Sequence, residues 1–85
     1  MKIQVLFFGE LRESVGCAQD VIEINATELD VAGLIDALAN RGPAWQVALK
    51  APEPLRVAVN QEMAALHTTL AEGAEVAFFR PVTGG

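Results

Sequence analysis

The stretch "DVAGLIDALANRGP", Asp30 to Pro43, constrains the fold more than any other part of the sequence. Val31, Leu34, Ile35 and Leu38 follow one another at the i, i+3, i+4, i+7 spacing, and a 3.6-residue period gathers them into a single apolar stripe. Asp30 stands where an N-cap belongs, its carboxylate placed to accept a hydrogen bond from an otherwise unpaired amide. Gly42 and Pro43 mark the end of the helix. Gly33 lies inside it, at a cost of about 1 kcal/mol relative to alanine, which calls for a close approach between helix and sheet as compensation. A helix with one apolar stripe has to lay that stripe on a second layer. The rest of the chain offers strands, so the expected arrangement is one sheet with the helix across it.

The strands are readable in turn. "KIQVLFF", Lys2 to Phe8, alternates, with Ile3, Val5 and Phe7 on one side and Gln4, Leu6 and Phe8 on the other. "GELRESVG" reads as a loop with one helical turn ending at Gly16, and "DVIEI", Asp20 to Ile24, as a second strand antiparallel to the first. "PAWQVALK" predicts a second short helix, with Pro43 tolerated in its first turn and Trp45 as its core anchor. "APEP" is a rigid loop, "LRVAVN" (Leu55 to Asn60) a strand, and "QEMAAL" its short returning partner. A turn at Glu72 and Gly73 leads to the last strand, Glu75 to about Phe79; Pro81, which has no amide proton, ends the pairing. This β-β-α-β-β order resembles a β-grasp, or ubiquitin-like, domain. The resemblance implies an α+β fold with a mixed sheet of four to five strands, one main helix across one face and a second short helix. It also implies that the first and last strands lie side by side, in parallel, at the sheet centre. Residues 1–85 are read as one domain, with 80–85 an extended, flexible tail.

Composition narrows the function classes. With 85 residues, 52% apolar and 20% charged, the chain is a single globular domain with a modest core and is too hydrophobic to be disordered. The net charge is −5, with Lys and Arg scattered singly. No basic stripe is available for nucleic acid, whereas an acidic carrier docking on a basic partner surface fits. The longest strongly apolar run is "VLFF", too short for a bilayer, and no signal-peptide pattern opens the sequence, so no membrane and a cytoplasmic setting are expected. Cys17 is the only cysteine, which rules out an internal disulfide and a thiol-rich metal site. There is no phosphate loop and no metal-ligand spacing, so neither a metal nor a bound cofactor is expected. Cys17 reads as a structural thiol and His67 as a surface histidine; Glu10, Glu13, Glu72 and Glu75 read as solvated charges. The chain alone is not expected to be an enzyme.

The sequence ends "FFRPVTGG". Gly84 and Gly85 have no side chains, so they fit a channel that would reject alanine and adopt dihedrals closed to other residues. Six extended residues, Arg80 to Gly85, can reach roughly 20 Å from the domain. A terminal carboxylate is an anion at neutral pH and a poor acyl electrophile until it is converted to an activated ester such as an acyl-adenylate. "FFRPVTGG", preceded by "LAEGAEVA" and "VAVNQ", with "VLFFGELRESVG" near the start, resembles the small subunit of molybdopterin synthase, a ubiquitin-like sulfur-carrier family. The resemblance is weakest between Cys17 and Leu55, and Arg80 stands where family members often carry proline.

What the resemblance implies is a sulfur carrier. A ubiquitin-activating-type adenylyltransferase uses ATP to activate Gly85, a sulfur donor protein converts it to a thiocarboxylate, and Gly84 keeps the tail thin. The tail, with Arg80, Pro81, Val82 and Thr83, then enters the large subunit of the synthase, where sulfur passes to cyclic pyranopterin monophosphate to build the molybdopterin dithiolene. The family's synthase pairs two small subunits with a central large-subunit dimer, a heterotetramer. Two other outcomes share the activation chemistry: a sulfur carrier for thiamine thiazole synthesis, and a ubiquitin-like modifier joined to lysines.

Strand alternation predicts one further feature. If Ile3, Val5, Phe7, Val76 and Phe78 face the helix, then Leu6, Phe8, Ala77 and Phe79 face away from it, with Met63 a neighbour. An outward face this apolar reads as a partner interface anchored by Phe8 and Phe79.

Overall fold

The computed structural model describes residues 1–52 and 54–81. Its elements run β1 (Lys2–Phe7), α1 (Glu10–Val15), β2 (Gln19–Glu23), α2 (Val31–Ala39), α3 (Pro43–Lys50), β3 (Arg56–Val59), β4 (Glu62–Met63) and β5 (Glu75–Phe79). The strands form one five-stranded sheet in the order β2-β1-β5-β3-β4. β1 and β5 pair in parallel at its centre, Val5 opposite Val76 and Phe7 opposite Phe78, while the outer pairs are antiparallel. The central parallel pair expected from the β-grasp order is therefore present.

Alternation places Ile3, Val5 and Phe7 of β1, Val57 of β3, and Val76 and Phe78 of β5 on the buried face. The stripe Val31, Leu34, Ile35 and Leu38 is buried on the same core. Asp30 caps α2 as expected: its Oδ1 accepts from the Gly33 amide at 2.8 Å. The expectation for Gly33 itself is corrected. A Cβ there would meet Leu29 Cδ1 at 2.9 Å and Asp30 Oδ1 at 3.3 Å, so the close approach is to the capping loop and not to the sheet.

Two boundaries also differ. α2 ends at Ala39, and Gly42 begins the next helix, its carbonyl accepting from the Gln46 amide at 3.0 Å. Gly42 has φ +152° and ψ 177°, a region open almost only to glycine, and Pro43 follows it at the first helical position. The Gly42–Pro43 pair thus starts α3 and does not stop α2. The helical turn expected in the segment after β1 does end at Gly16 but is longer, a six-residue helix, α1, because Leu11 is fully buried and Val15, one turn on, packs on the core beside it. The described residues accordingly hold three helices, one more than expected. Trp45 anchors α3 by an edge-on contact with Phe7, ring centroids 5.5 Å apart.

Candidate functional site

Among the described residues no helix lies on the opposite face of the sheet. Leu6 lies opposite Ala77, Ala77 opposite Ala58, and Ala58 opposite Met63, so one row of apolar residues crosses β1, β5, β3 and β4. Residues directly opposite share a face, and two alanines between larger side chains keep the middle of the row shallow. Phe79 continues the face two residues along β5, opposite Arg56 of β3. Phe8 continues it past the end of β1, its amide donating to the Phe78 carbonyl at 3.2 Å. Phe8 is 50% exposed and Met63 63%, whereas Leu6, Ala58, Ala77 and Phe79 are half-buried. Leu6, Phe8, Phe79 and Met63 are thus brought together on one side of the domain. Ala58, between Ala77 and Met63, belongs to the same row and was not singled out from the sequence, although strand alternation places it there.

This patch adjoins the place where the chain leaves the sheet. Phe79 is the last residue of β5, and Arg80 and Pro81 follow it. Val82, Thr83, Gly84 and Gly85, the expected working end, lie outside the described residues.

Arg80 differs from its expected part in a loose, partner-facing tail. Its side chain is turned onto its own domain and is 15% exposed. Nε donates to Glu10 Oε1 of α1 at 2.8 Å, one terminal nitrogen donates to the Ala48 carbonyl at 2.8 Å, and the other to the Pro54 carbonyl at 3.3 Å. The sequence contains the reason. Ala48 lies in the last turn of α3, and the amide that would continue the helical ladder to its carbonyl belongs to residue 52, which is proline. The Arg80 guanidinium occupies that open acceptor and brings a cation to the helix C-terminus, where the helix dipole favours it. Glu10, read as a solvated charge, is the carboxylate partner of this contact. Glu72 is likewise more than a surface charge: its Oε2 accepts from the Lys2 amide at 3.0 Å at the start of β1.

The other singled-out residues lie elsewhere. Cys17 is a free thiol, half-buried against the core. His67 is exposed. Among the described residues no group of three or more His, Cys, Asp and Glu is arranged to hold a metal ion, and no helix is long and apolar enough to cross a membrane. Asp20 of β2 accepts from Arg41 at 2.7 Å and from the Val21 amide at 2.8 Å; these bonds, Arg41 first, hold its carboxyl below the usual range. Arg41 in turn lies 4.8 Å from the centre of the Trp45 ring, tying the sheet edge to the helical layer.

The described residues thus place an apolar sheet face beside Arg80 and Pro81, after which the sequence runs on to Gly84 and Gly85. Such an arrangement can dock on a surface and present a chain end at a fixed place on it.

The profile of the ThiS family matches residues 5–85. The chain is 42% identical to the molybdopterin synthase sulfur carrier subunit of Escherichia coli (strain K12), over 98% of this chain and 99% of that protein. It is 37% identical to the protein of the same description from Haemophilus influenzae, with the same coverage. Among solved structures, SAMP1 from Haloferax volcanii superposes with a TM-score of 0.81 at 28% identity, over 100% of both chains.

Proposed function

This chain belongs to the ThiS family, and we propose that it serves as the sulfur-carrier subunit of a molybdopterin synthase. The observation that carries this reading is its end-to-end correspondence with carrier subunits of that synthase. The apolar open face and the adjoining root of the Gly-Gly segment give the reading its physical support.

In the proposed cycle the Gly85 carboxylate attacks the α-phosphorus of ATP on a ubiquitin-activating-type adenylyltransferase, and pyrophosphate leaves. A sulfur donor then supplies a nucleophile at the oxidation level of sulfide, which displaces AMP and leaves a thiocarboxylate. The open face, through Phe8, Phe79, Leu6 and Met63, docks on the large subunit, and Pro81, Val82, Thr83 and Gly84 lead the thiocarboxylate into its active site. The sulfur attacks a carbon of the cyclic pyranopterin monophosphate, and the C–O bond at that carbon breaks with its oxygen leaving as water or staying on the phosphate. A second water cleaves the acyl–sulfur bond, which restores the carboxylate and leaves the sulfur on the pterin. The large subunit holds the catalytic groups, and this chain supplies a tethered nucleophile at high effective concentration. It binds no cofactor itself, ATP being consumed by the activating enzyme. Two such subunits flank a large-subunit dimer, and the cycle runs in the cytoplasm.

The test is thiocarboxylate formation with the adenylyltransferase, ATP and a sulfur source, read by intact mass as replacement of one terminal oxygen by sulfur, followed by pterin conversion with the large subunit. Adding one alanine after Gly85 displaces the terminal carboxylate by about 3.5 Å and brings a methyl into a glycine-wide passage; the expected outcome is loss of conversion with the fold intact. Deleting Gly85 should also abolish it. Normal conversion by either variant would overturn the reading. The likeness to SAMP1, named in a second Haloferax volcanii structure as a small archaeal modifier protein, favours a second role in which a lysine amine takes the activated acyl group. Lysine-linked conjugates in intact-mass analysis of protein from cells would reveal that role, and sulfur delivered to a thiazole precursor would instead place the chain in thiamine synthesis.

A further inference from the structure

We infer that Arg80 is a positioning residue, a clamp that fixes the root of the tail so that the terminal group leaves the platform from one place and in one direction. The inference rests on the sulfur-carrier reading for its consequence, though not for its geometry. Among the described residues, Glu10 of α1, the Ala48 carbonyl at the end of α3 and the Pro54 carbonyl just before β3 converge on this guanidinium from parts of the domain far apart in sequence. A planar cation with donors in a fixed fork suits such a junction, because each bond made restricts the same rigid group. The side chain is 15% exposed while its carboxylate partner is 68% exposed, so the arginine is the seated member of the pair.

The backbone around Arg80 is stiffened from both sides. Phe79 belongs to the ladder, opposite Arg56. Pro81 has a fixed φ and disfavours the helical region for the residue before it. Arg80 closes the gap between these two stiff residues through its side chain. With the clamp in place the held part of the chain extends through Arg80 to Pro81, and four residues, 82–85, follow it in sequence. Without it the held part ends at Phe79, the last residue in the ladder, and six residues, 80–85, follow it in sequence. The local concentration of a tethered end falls roughly as the −3/2 power of tether length, so this change alone dilutes the terminal group about twofold. Loss of exit direction adds to that, because a misplacement of about 1 Å at a reacting centre is already costly. The open face still carries the affinity, so the clamp acts on delivery within the complex.

Two substitutions separate stiffness from charge. Arg80→Ala removes the clamp and leaves the root loose. Arg80→Pro also removes the guanidinium but locks φ by ring closure, giving a stiff Pro-Pro root. Both variants lose the Glu10, Ala48 and Pro54 contacts, so any shared fall in melting temperature cancels in the comparison. The measurement is single-turnover sulfur transfer from preformed thiocarboxylate at saturating large subunit, with the dissociation constant of the complex measured separately. Arg80→Ala is expected to slow transfer by about two- to tenfold with the dissociation constant unchanged within about twofold, and Arg80→Pro to recover at least half of the loss. Wild-type speed in Arg80→Ala would overturn the clamp. Equal slowing in both variants, or weakened binding in both, would overturn it too, by showing that the guanidinium acts on the partner. If the unmodified chain transfers no sulfur, the carrier reading fails, and the clamp is judged on the isolated domain alone. There the ¹⁵N order parameter of the Arg80 amide should fall in Glu10→Ala, which cuts one arm of the clamp, and an unchanged value would overturn it.

Discussion

The two faces of the sheet are built from the same strands and meet different fates. Inward-facing Ile3, Val5, Phe7, Val57, Val76 and Phe78 are buried beneath the helices. Their outward-facing neighbours Leu6, Phe8, Ala58, Ala77 and Phe79 are also apolar, yet the domain leaves them half-covered or exposed. A sheet with one solvated face ordinarily alternates apolar-in and polar-out, and parallel strands are ordinarily covered on both faces. The outward residues Leu6 and Ala77 sit opposite one another on β1 and β5, the one parallel pair in the sheet. The central pair thus has the composition of a doubly covered one, with one cover supplied by the helices and the other face left open among the described residues. The difference teaches that burial on one face serves folding, while the apolarity of the other needs a second explanation, which the proposed docking on the large subunit supplies.

The largest expected effect exploits two adjacent phenylalanines. Phe78 is fully buried, its ring stacked 6.0 Å from that of Phe7, and Phe79 lies on the other face. Phe78→Ala should cost about 3–5 kcal/mol, against a total stability of roughly 4–13 kcal/mol for a domain of this length. Phe79→Ala should cost far less. Chemical denaturation of both variants checks this, and comparable losses would erase the distinction between the faces.

The converse test is on binding. Phe8→Asp or Phe79→Asp should change stability by no more than about 0.5–1 kcal/mol but weaken association with the large subunit by about 2 kcal/mol or more, roughly 30-fold. The cause is a carboxylate left unpaired in an apolar contact. Titration of the folded variants against the large subunit measures it, and unchanged affinity in both would mean that the open face is not the docking surface.

How far these faces were legible in the sequence follows from the range of the forces involved. Alternation along Lys2 to Phe8 and Glu75 to Phe79, and the Val31, Leu34, Ile35, Leu38 stripe, are local patterns, and they gave the strands, the main helix and the open patch correctly. The parallel pairing of β1 with β5 is not local; it came from resemblance to the β-grasp order. The helical turn ending at Gly16 was read, but not its extent over Glu10–Val15, because two anchors, Leu11 and Val15, make too short a pattern to stand out from a loop. The role of Gly42 was missed because Gly-Pro serves equally as an end and a beginning, and only the packing of α3 decides. The Arg80 clamp joins residues 80, 54, 48 and 10, a convergence that exists only after folding. Its one local sign was Pro52, whose missing amide leaves the Ala48 carbonyl open. The tail chemistry was read not from Gly84 and Gly85 alone but from the resemblance carried by "FFRPVTGG" and the stretches before it, and these two glycines lie outside the described residues.

A smaller effect concerns the cover of the buried face. α2 lays its stripe on the sheet, and its first turn depends on the bond from the Gly33 amide to Asp30. Asp30→Ala should cost about 1 kcal/mol, seen as a lower denaturation midpoint with an unchanged denaturant slope. Affinity for the large subunit should be unaffected while the domain is folded, because the open face lies on the other side of the sheet. A loss of affinity in the folded variant would mean that the faces are coupled.

The smallest effect is an acid-dependent one at the edge of that cover. Asp20 on β2 accepts from Arg41, which follows α2 and stacks on Trp45, and its carboxyl is held below the ordinary range mainly by the Arg41 bond and then by the Val21 amide. A carboxyl with a lowered folded-state value contributes stability above its unfolded value, about 3.9, and loses it as pH falls through the folded-state value. The side chains are 41% and 30% exposed, so solvent screening limits the contribution to about 0.2–1 kcal/mol. Asp20→Asn keeps an oxygen for the Val21 amide but removes the charge. It should therefore be less stable than the unsubstituted chain by that amount at neutral pH, and the gap should close as pH falls through the lowered folded-state value of Asp20. Urea midpoints measured in parallel across that range give the gap at each pH. A gap that stays constant would assign the loss to packing and not to charge. Affinity for the large subunit should not follow the gap at any pH where the domain is folded, since Asp20 and Arg41 fasten the helical side of the sheet and leave the docking face untouched.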